Sequence, residues 1–267
     1  MSLDHPSNSP VECVVVIPAR FGSTRLPQKM LLRETGKPLL QYTYEAACAA
    51  RRPDAVVVAT DHPEIARVVE RFGGTVVLTS PDCPSGTDRV AEAARQLPDA
   101  QILVNVQGDE PEISPAAIDH VIALLEKNPS AGMATLSTPI RDPAQLSNPA
   151  CVKVVCDDAG RALYFSRSQI PFIRDTPAER AGASSPPVFN QPPVFFQHLG
   201  LYAYRRAELL RFASLEPSTL ELAEKLEQLR LLQTGGVIVL DVVQHASSGI
   251  DTPADYAAFV QRHRKAG

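Results

Sequence analysis

Residues 18–29 hold three cations, two hydroxyls and a glycine in one short stretch: Arg20, Gly22, Ser23, Thr24, Arg25 and Lys29. Arginine offers a planar fork of donors to phosphate oxygens, and lysine a mobile point charge. Glycine lets the backbone approach a ligand closely, so the stretch suits a triphosphate. The same residues also fit a solvated basic turn. A second group, Gln107-Gly108-Asp109-Glu110-Pro111, sets a tight turn and an acidic pair after an apolar run. A hard divalent cation such as Mg²⁺ takes one or two carboxylates from a protein and completes its shell with phosphate and water. Asp251, between Gly249 and Pro253, is a further carboxylate. It could share that ion or cap a following helix, and the two roles compete for the same oxygens.

Ser85-Gly86-Thr87-Asp88-Arg89 has the hydroxyls and helix-opening pattern that suit a nucleotide, and equally a plain helix cap. Arg167 and His198 stand in apolar strand contexts and need polar partners. A bound carboxylate, a sugar hydroxyl or a structural ion pair would each serve. Glu227 and Gln228 lie beside an apolar helical stripe of Leu222, Leu226, Leu229 and Leu232, where a solvated helix face is the plainer reading.

The elements that must position these groups alternate in type. Residues 14–17 are four consecutive β-branched positions and read as a buried parallel strand, so the basic loop leaves its carboxyl end, where open α/β sheets bind ligands. Strands follow at 55–59, 75–78, 102–106 and 132–138. Helices are expected from a cap at Asp61 to residue 72, over 87–96, and over 114–127. This alternation implies a parallel sheet with right-handed crossovers and helices on both faces. Near residue 140 the pattern changes. A hairpin at 152–156 and 162–165, a Pro-rich loop at 176–193 and a strand at 195–204 suggest a mixed β region over about 141–205. A single helix over 219–233, a strand over 237–242 and a helix over 252–264 complete the chain.

The chain has 267 residues, enough for one α/β domain with an insertion, here 11–267 with residues 1–10 as a disordered lead-in lacking a signal-peptide pattern. A net charge of -4 argues against a general nucleic-acid binder. No apolar run approaches the roughly 20 residues that span a bilayer, so membrane insertion is not expected. Five cysteines, Cys13, Cys48, Cys83, Cys151 and Cys156, show no CxxC spacing. Four of them sit in apolar patterns and read as reduced core thiols of a cytoplasmic protein.

Taken together, Ile17 to Lys29, Ala59-Thr60-Asp61, Ser85 to Arg89, Asn105 to Pro111, Tyr164 to Arg167, His198 to Tyr202, Leu226 to Arg230 and Gly249 to Pro253 occur in an order that resembles the 3-deoxy-manno-octulosonate (Kdo) cytidylyltransferases. These are sugar nucleotidyltransferases of lipopolysaccharide assembly. The resemblance covers about residues 13–263. It implies a Rossmann-like nucleotidyltransferase fold, Mg²⁺ dependence, a homodimer, and transfer of CMP from CTP to Kdo. Under it, Ala19, Arg20, Ser23, Arg25, Lys29, Ser85, Gly86, Arg89 and Gln107 bind the nucleotide. Arg20, Arg25, Lys29 and Asp109 are catalytic, and Asp109 and Asp251 hold Mg²⁺. Arg167, His198, Tyr202, Glu227 and Gln228 face the sugar. The β region would supply the dimer interface through apolar residues such as Phe195 and Phe196. Another acid sugar, such as 8-amino Kdo or a sialic acid, and a non-catalytic nucleotide-sensing role remain alternatives. The chain departs from the pattern at Gln28-Lys29-Met30, where Gly-Lys-Pro is usual, at Gln197, where a cation often stands, and over 176–193.

Overall fold

Val14, Val15, Val16 and Ile17 are all fully buried because strand β1 (Cys13–Ala19) has a strand on each side and helices on both faces. The computed structural model describes residues 12–174, 193–244, 247 and 249–266. The expected lead-in at 1–10 and all but Pro193 of the Pro-rich loop lie outside these residues. Strands β2 (Ala55–Thr60), β3 (Thr75–Leu78), β4 (Ile102–Asn105) and β5 (Met133–Pro139) follow, then β6 (Lys153–Cys156), β7 (Ala162–Ser166), β8 (Phe196–Arg205) and β9 (Ile238–Val242). The sheet runs β3-β2-β1-β4-β8-β5-β9. Pairing is parallel except that β8 runs antiparallel between β4 and β5. Hairpin β6–β7 branches from β8 through Lys153↔Gln197 and Val154↔Phe196.

Alternation along β1 feeds two cores. Cys13, Val15 and Ile17 face α1 (Leu39–Cys48), α2 (Pro63–Arg71) and α4 (Pro115–Lys127) through Leu40, Ile65, Val69, Ile118 and Leu125. Val14 and Val16 face α3 (Gly86–Gln96) through Val90, Ala91 and Ala94, together with side chains from the later short helices. The unbroken apolar run is what burial on both faces requires. A third cluster packs the last helix onto the basic loop: Leu26 and Leu39 meet Ile250, Tyr256, Phe259 and Val260.

Several expectations change. Strand 196–205 belongs to the main sheet and not to an appended region, because β5 pairs along one edge of it, while β4 takes the second half of the other edge and β6 the start of the first half. Helices α1, α5 (Pro143–Ser147) and α6 (Arg206–Ser214) were not read from the sequence. The helix expected over 219–233 is two, α7 (Thr219–Glu224) and α8 (Gln228–Gln233), broken at Lys225, whose φ of 54° is left-handed. The break turns Leu222 to solvent and leaves Leu226 and Leu229 buried. His62, not Asp61, caps α2, and Asp61 pairs with Arg89 instead. Cys13 and Cys151 are buried, but Cys48 and Cys156 are exposed, and all five are free. Phe195 is buried with Ile140, Leu146 and Cys151 and is not presented for association, whereas Phe196 packs on the second core but is only partly buried.

Helix α9 (Pro253–Ala266) docks through Tyr256, Phe259 and Val260 in the third cluster, and Phe259 is the most deeply buried of them. Phe259→Ala is expected to cost about 3–5 kcal/mol, the usual range for emptying a buried aromatic site. Urea unfolding of the two proteins reads the difference.

Candidate active site

The basic loop leaves β1 and turns through a short 3₁₀ segment, Lys29–Leu31. Gln28 stands before it with φ 52°, a left-handed conformation that favours glycine. The turn aims Lys29 inward, leaving its side chain only 12% exposed. Its ammonium donates to the carboxylate of Asp109, to Asp251 Oδ1 at 3.0 Å and to the carbonyl of Ile250 at 3.2 Å. Arg25 pairs with the other oxygen of Asp251 at 3.0 Å. Asp109 comes from the turn after β4. Gly108 suits the close approach there, since a Cβ would crowd the carbonyl of Pro18 at 3.1 Å and the tip of Met30. The backbone N–H of Ile250 donates to the carbonyl of Asp109 at 2.8 Å and joins the two acidic segments directly.

The competition over Asp251 is decided by its neighbours. Thr252 Oγ1 accepts the N–H of Asp255, and the Asp255 carboxylate accepts the N–H groups of Asp251 and Thr252 and the Thr252 hydroxyl proton. The start of α9 is therefore capped without Asp251, whose carboxylate is left for cations. Two carboxylates on one positive centre fit a hard divalent ion, which would take its other ligands from phosphate and water. Among the described residues no cluster of three or more His, Cys, Asp or Glu could hold a metal. That donor set suits Mg²⁺ better than a softer ion.

A cavity of about 370 Å³ opens on this pair, lined by Arg20, Ser23, Lys29, Ser85, Gly86, Arg89, Gln107, Asp109 and Asp251 of the expected residues. Two expected residues stand apart from its wall. Ala19 is buried in β1, and the Arg25 guanidinium is on Asp251. Ser85 also caps α3, accepting the N–H of Asp88 at 3.1 Å, so its capping and ligand-facing readings hold together. Arg89 is a buried brace between Thr79 Oγ1 at 2.5 Å and Asp61 Oδ1 at 3.1 Å. Pro18, Met30, Cys83 and Pro84 complete the wall and were not predicted. Cys83 and Pro84 immediately precede the Ser85 motif, which was the available signal.

A second cavity of about 390 Å³ adjoins the first and shares Gly86, Gln107 and Glu227 with it. Its floor is one face of β8: His198, Gly200, Tyr202 and Tyr204, at the two-residue period of a strand. Tyr204 was missed although that period reaches it. Glu227 and Gln228 form the opposite wall. The Gln228 side chain is buried and its Nε2 has no hydrogen-bond partner among the described residues. Such a donor calls for an acceptor from a ligand. Burial raises the Glu227 carboxyl above its usual range, and hydrogen bonds from Thr87 and Ser85 partly offset this.

His198 is neutral, its pKa pushed down to about 3 by burial. Its Nε2 lies 3.1 Å from Thr135 Oγ1, whose own proton goes to the carbonyl of Leu201 at 2.9 Å or Leu199 at 3.1 Å. With that proton on a carbonyl, Nε2 is the protonated nitrogen and Nδ1 the acceptor. The ring suits a hydroxyl and not a carboxylate. Arg167 does not reach the cavity. Its Nε donates to the carbonyl of Glu224 at 2.7 Å, Nη1 to Pro149 at 2.9 Å and Nη2 to Lys225 at 3.3 Å. Residues in apolar strands seek partners, but which partner is met depends on the loops that fold beside them.

The sequence matches a family model described as cytidylyltransferase over residues 14–240. It is 48% identical over 252 residues to a 3-deoxy-manno-octulosonate cytidylyltransferase of Rhodopirellula baltica, covering 94% of this chain and 98% of that protein. It is 46% identical over 244 residues to an 8-amino-3,8-dideoxy-manno-octulosonate cytidylyltransferase of Shewanella sediminis, covering 90% and 94%. A structure of CMP:2-keto-3-deoxy-manno-octonic acid synthetase complexed with CTP superposes with a TM-score of 0.86 at 39% identity, covering 96% of this chain and all of that one.

The burial of neutral His198 predicts an acid-sensitive fold. The unfolded chain takes up its proton below about pH 6.5, while the folded ring resists until about pH 3. Stability therefore falls as pH drops below 6.5, by up to about 1.4 kcal/mol per pH unit for this one group. His198→Gln should show a shallower loss between pH 6.5 and 5 in urea unfolding, and equal slopes would rule His198 out as the source.

Proposed function

The chain belongs to the cytidylyltransferase family, and we propose that it transfers CMP from CTP to the anomeric hydroxyl of Kdo, releasing pyrophosphate. The observation that carries this reading is the meeting of two chemically different cavities along Gly86, Gln107 and Glu227. One has the cations and paired carboxylates that a triphosphate needs. The other is lined by a neutral histidine, tyrosines and amide groups, with Lys225 and Glu227 at its edge, a surface suited to a polyhydroxylated acid. A nucleophile held in the second would face a phosphate held in the first.

Catalysis of this kind is mainly positioning and charge neutralisation. Arg20 and Lys29 would hold the triphosphate, with Arg25 supporting the loop through Asp251. Ser85, Gly86, Arg89 and Gln107 would frame the nucleoside, and the amides opening α3 favour an anionic group there. His198, Tyr202, Glu227 and Gln228 would meet the sugar. His198 Nδ1 would accept from a hydroxyl, and Gln228 Nε2 would donate to a carboxylate or hydroxyl oxygen. Asp109 and Asp251 would hold Mg²⁺, which when bound offsets the repulsion between two anionic reactants.

Five free thiols fit a reducing, cytoplasmic setting, and among the described residues no helix is long and apolar enough to cross a membrane. We further propose a twofold homodimer, its interface drawing on exposed apolar side chains such as Leu163 and Phe172 and not on the buried Phe195. The likeness to the Shewanella protein favours 8-amino Kdo as a second candidate substrate.

Pyrophosphate release with each nucleoside triphosphate, with and without Kdo, tests the reading; release should require CTP and Kdo together. Faster release with 8-amino Kdo at matched concentration would transfer the assignment to that sugar. Lys29→Ala should lower turnover by about 10²- to 10³-fold, the usual loss of one charge-stabilising donor; near-normal turnover would remove Lys29 from the mechanism. Asp109→Asn and Asp251→Asn should each raise the Mg²⁺ concentration needed for half-maximal activity or abolish activity, as a Mg²⁺ titration of each variant will read.

A further inference from the structure

Lys153 is fully buried on β6, and no carboxylate among the described residues forms an ion pair with it. Its ammonium instead donates to three backbone carbonyls: Asn148 at 3.2 Å, Cys151 at 2.7 Å and Arg167 at 2.6 Å. Burial lowers its pKa, and taking a charge out of water in this way is costly unless its donors are fully used. Here all three are. Arg167 then extends the same connection. Its carbonyl accepts from Lys153, while its guanidinium donates to the carbonyls of Pro149, Glu224 and Lys225. The Glu224 carboxylate answers by accepting from Ser166 Oγ at 2.6 Å and the N–H of Arg167 at 3.0 Å.

The two cations thus tie together two segments that have no ladder between them. One is the loop after α5, which supplies Ala150 and Val152 to the second cavity. The carbonyl of Val152 also accepts the backbone N–H of His198 at 2.8 Å. The other is the bend at Lys225, which supplies Lys225, Leu226, Glu227 and Gln228. That bend joins two helices of six residues each, too short to hold a position by themselves. Their placement must come from outside.

We infer that Lys153 and Arg167 are positioning residues that set the opening of the second cavity and so the affinity for the acceptor sugar, without touching it. This rests on the reading that the second cavity holds Kdo. Packing of the hairpin does not need the charge, since Val154 and Phe165 already bury it in the second core. A methionine of similar length at 153 would keep the volume and lose the three bonds.

The test uses the full-length protein with Lys153→Met and, as a second variant should that one fail to fold, Arg167→Gln. Pyrophosphate release is measured with each substrate varied in turn, CTP binding is measured alone by calorimetry, and hydrogen exchange is followed over 148–152 and 224–228. The KM for Kdo should rise about tenfold or more, as small misplacements of binding groups commonly produce, with the KM and Kd for CTP within about twofold of wild type. Exchange should quicken in both segments in either variant. Equal rises in both KM values, or loosened segments with an unchanged KM for Kdo, would overturn the proposal. Wild-type protein that releases no pyrophosphate with Kdo would instead overturn the substrate reading. Faster exchange of both segments in the variants would even then support the positioning role of Lys153 and Arg167.

Discussion

The ammonium of Lys29 lies between the carboxylates of Asp109 and Asp251, and three distant segments come together on that one charge. Without a cation between them, two such carboxylates would repel each other. With it, the loop after β1, the turn after β4 and the start of α9 form one wall. The arrangement is reinforced from the side. Arg25 holds the outer oxygen of Asp251, the Tyr256 hydroxyl accepts the N–H of Glu34 at 2.9 Å, and Arg262 pairs with Glu112 in a fork of two bonds. The C-terminal helix is thus part of the site, although none of its own residues lines the cavity.

The second cavity obeys a different electrostatic rule. Its floor is built from a central antiparallel strand, so the groups it shows are deeply buried and uncharged. His198 is neutral and shares its ring edge with Phe165 and Tyr202, at centroid distances of 4.9 and 5.3 Å. The cavity offers hydrogen bonds of fixed direction there: an acceptor at His198 and a donor at Gln228. The cations close to this cavity, Lys153 and Arg167, face away from it into backbone carbonyls. They fix loops behind the wall, and the charged groups the wall itself carries are Lys225 and Glu227.

Strand β8 links the two halves. It pairs with β4 beside the acidic turn and with β5 and β6 beside the second cavity. A register shift between Thr135 and Leu136 lets the Thr135 hydroxyl reach two β8 carbonyls and the His198 ring together. That local irregularity decides which imidazole nitrogen is free, and therefore what kind of group the cavity can read.

Much of this was legible from residue order alone. The β-branched run 14–17 reads as a strand buried on both faces, and the basic loop at its carboxyl end points to the edge where open α/β sheets bind ligands. Gly108 before Asp109 marked a tight turn for the same local reason. These are properties of neighbours in the chain, and neighbours set backbone geometry. Tertiary structure decided what depended on groups far apart. Asp251 serves a cation because Asp255 and Thr252 cap the helix. Arg167 is spent on carbonyls because the bend at Lys225 falls within its reach. The strand over 196–205 lies inside the main sheet because β4 and β5 both leave an edge for it. Hydrogen-bond partners and strand neighbours across the sheet are chosen by packing, and packing leaves no local trace in sequence.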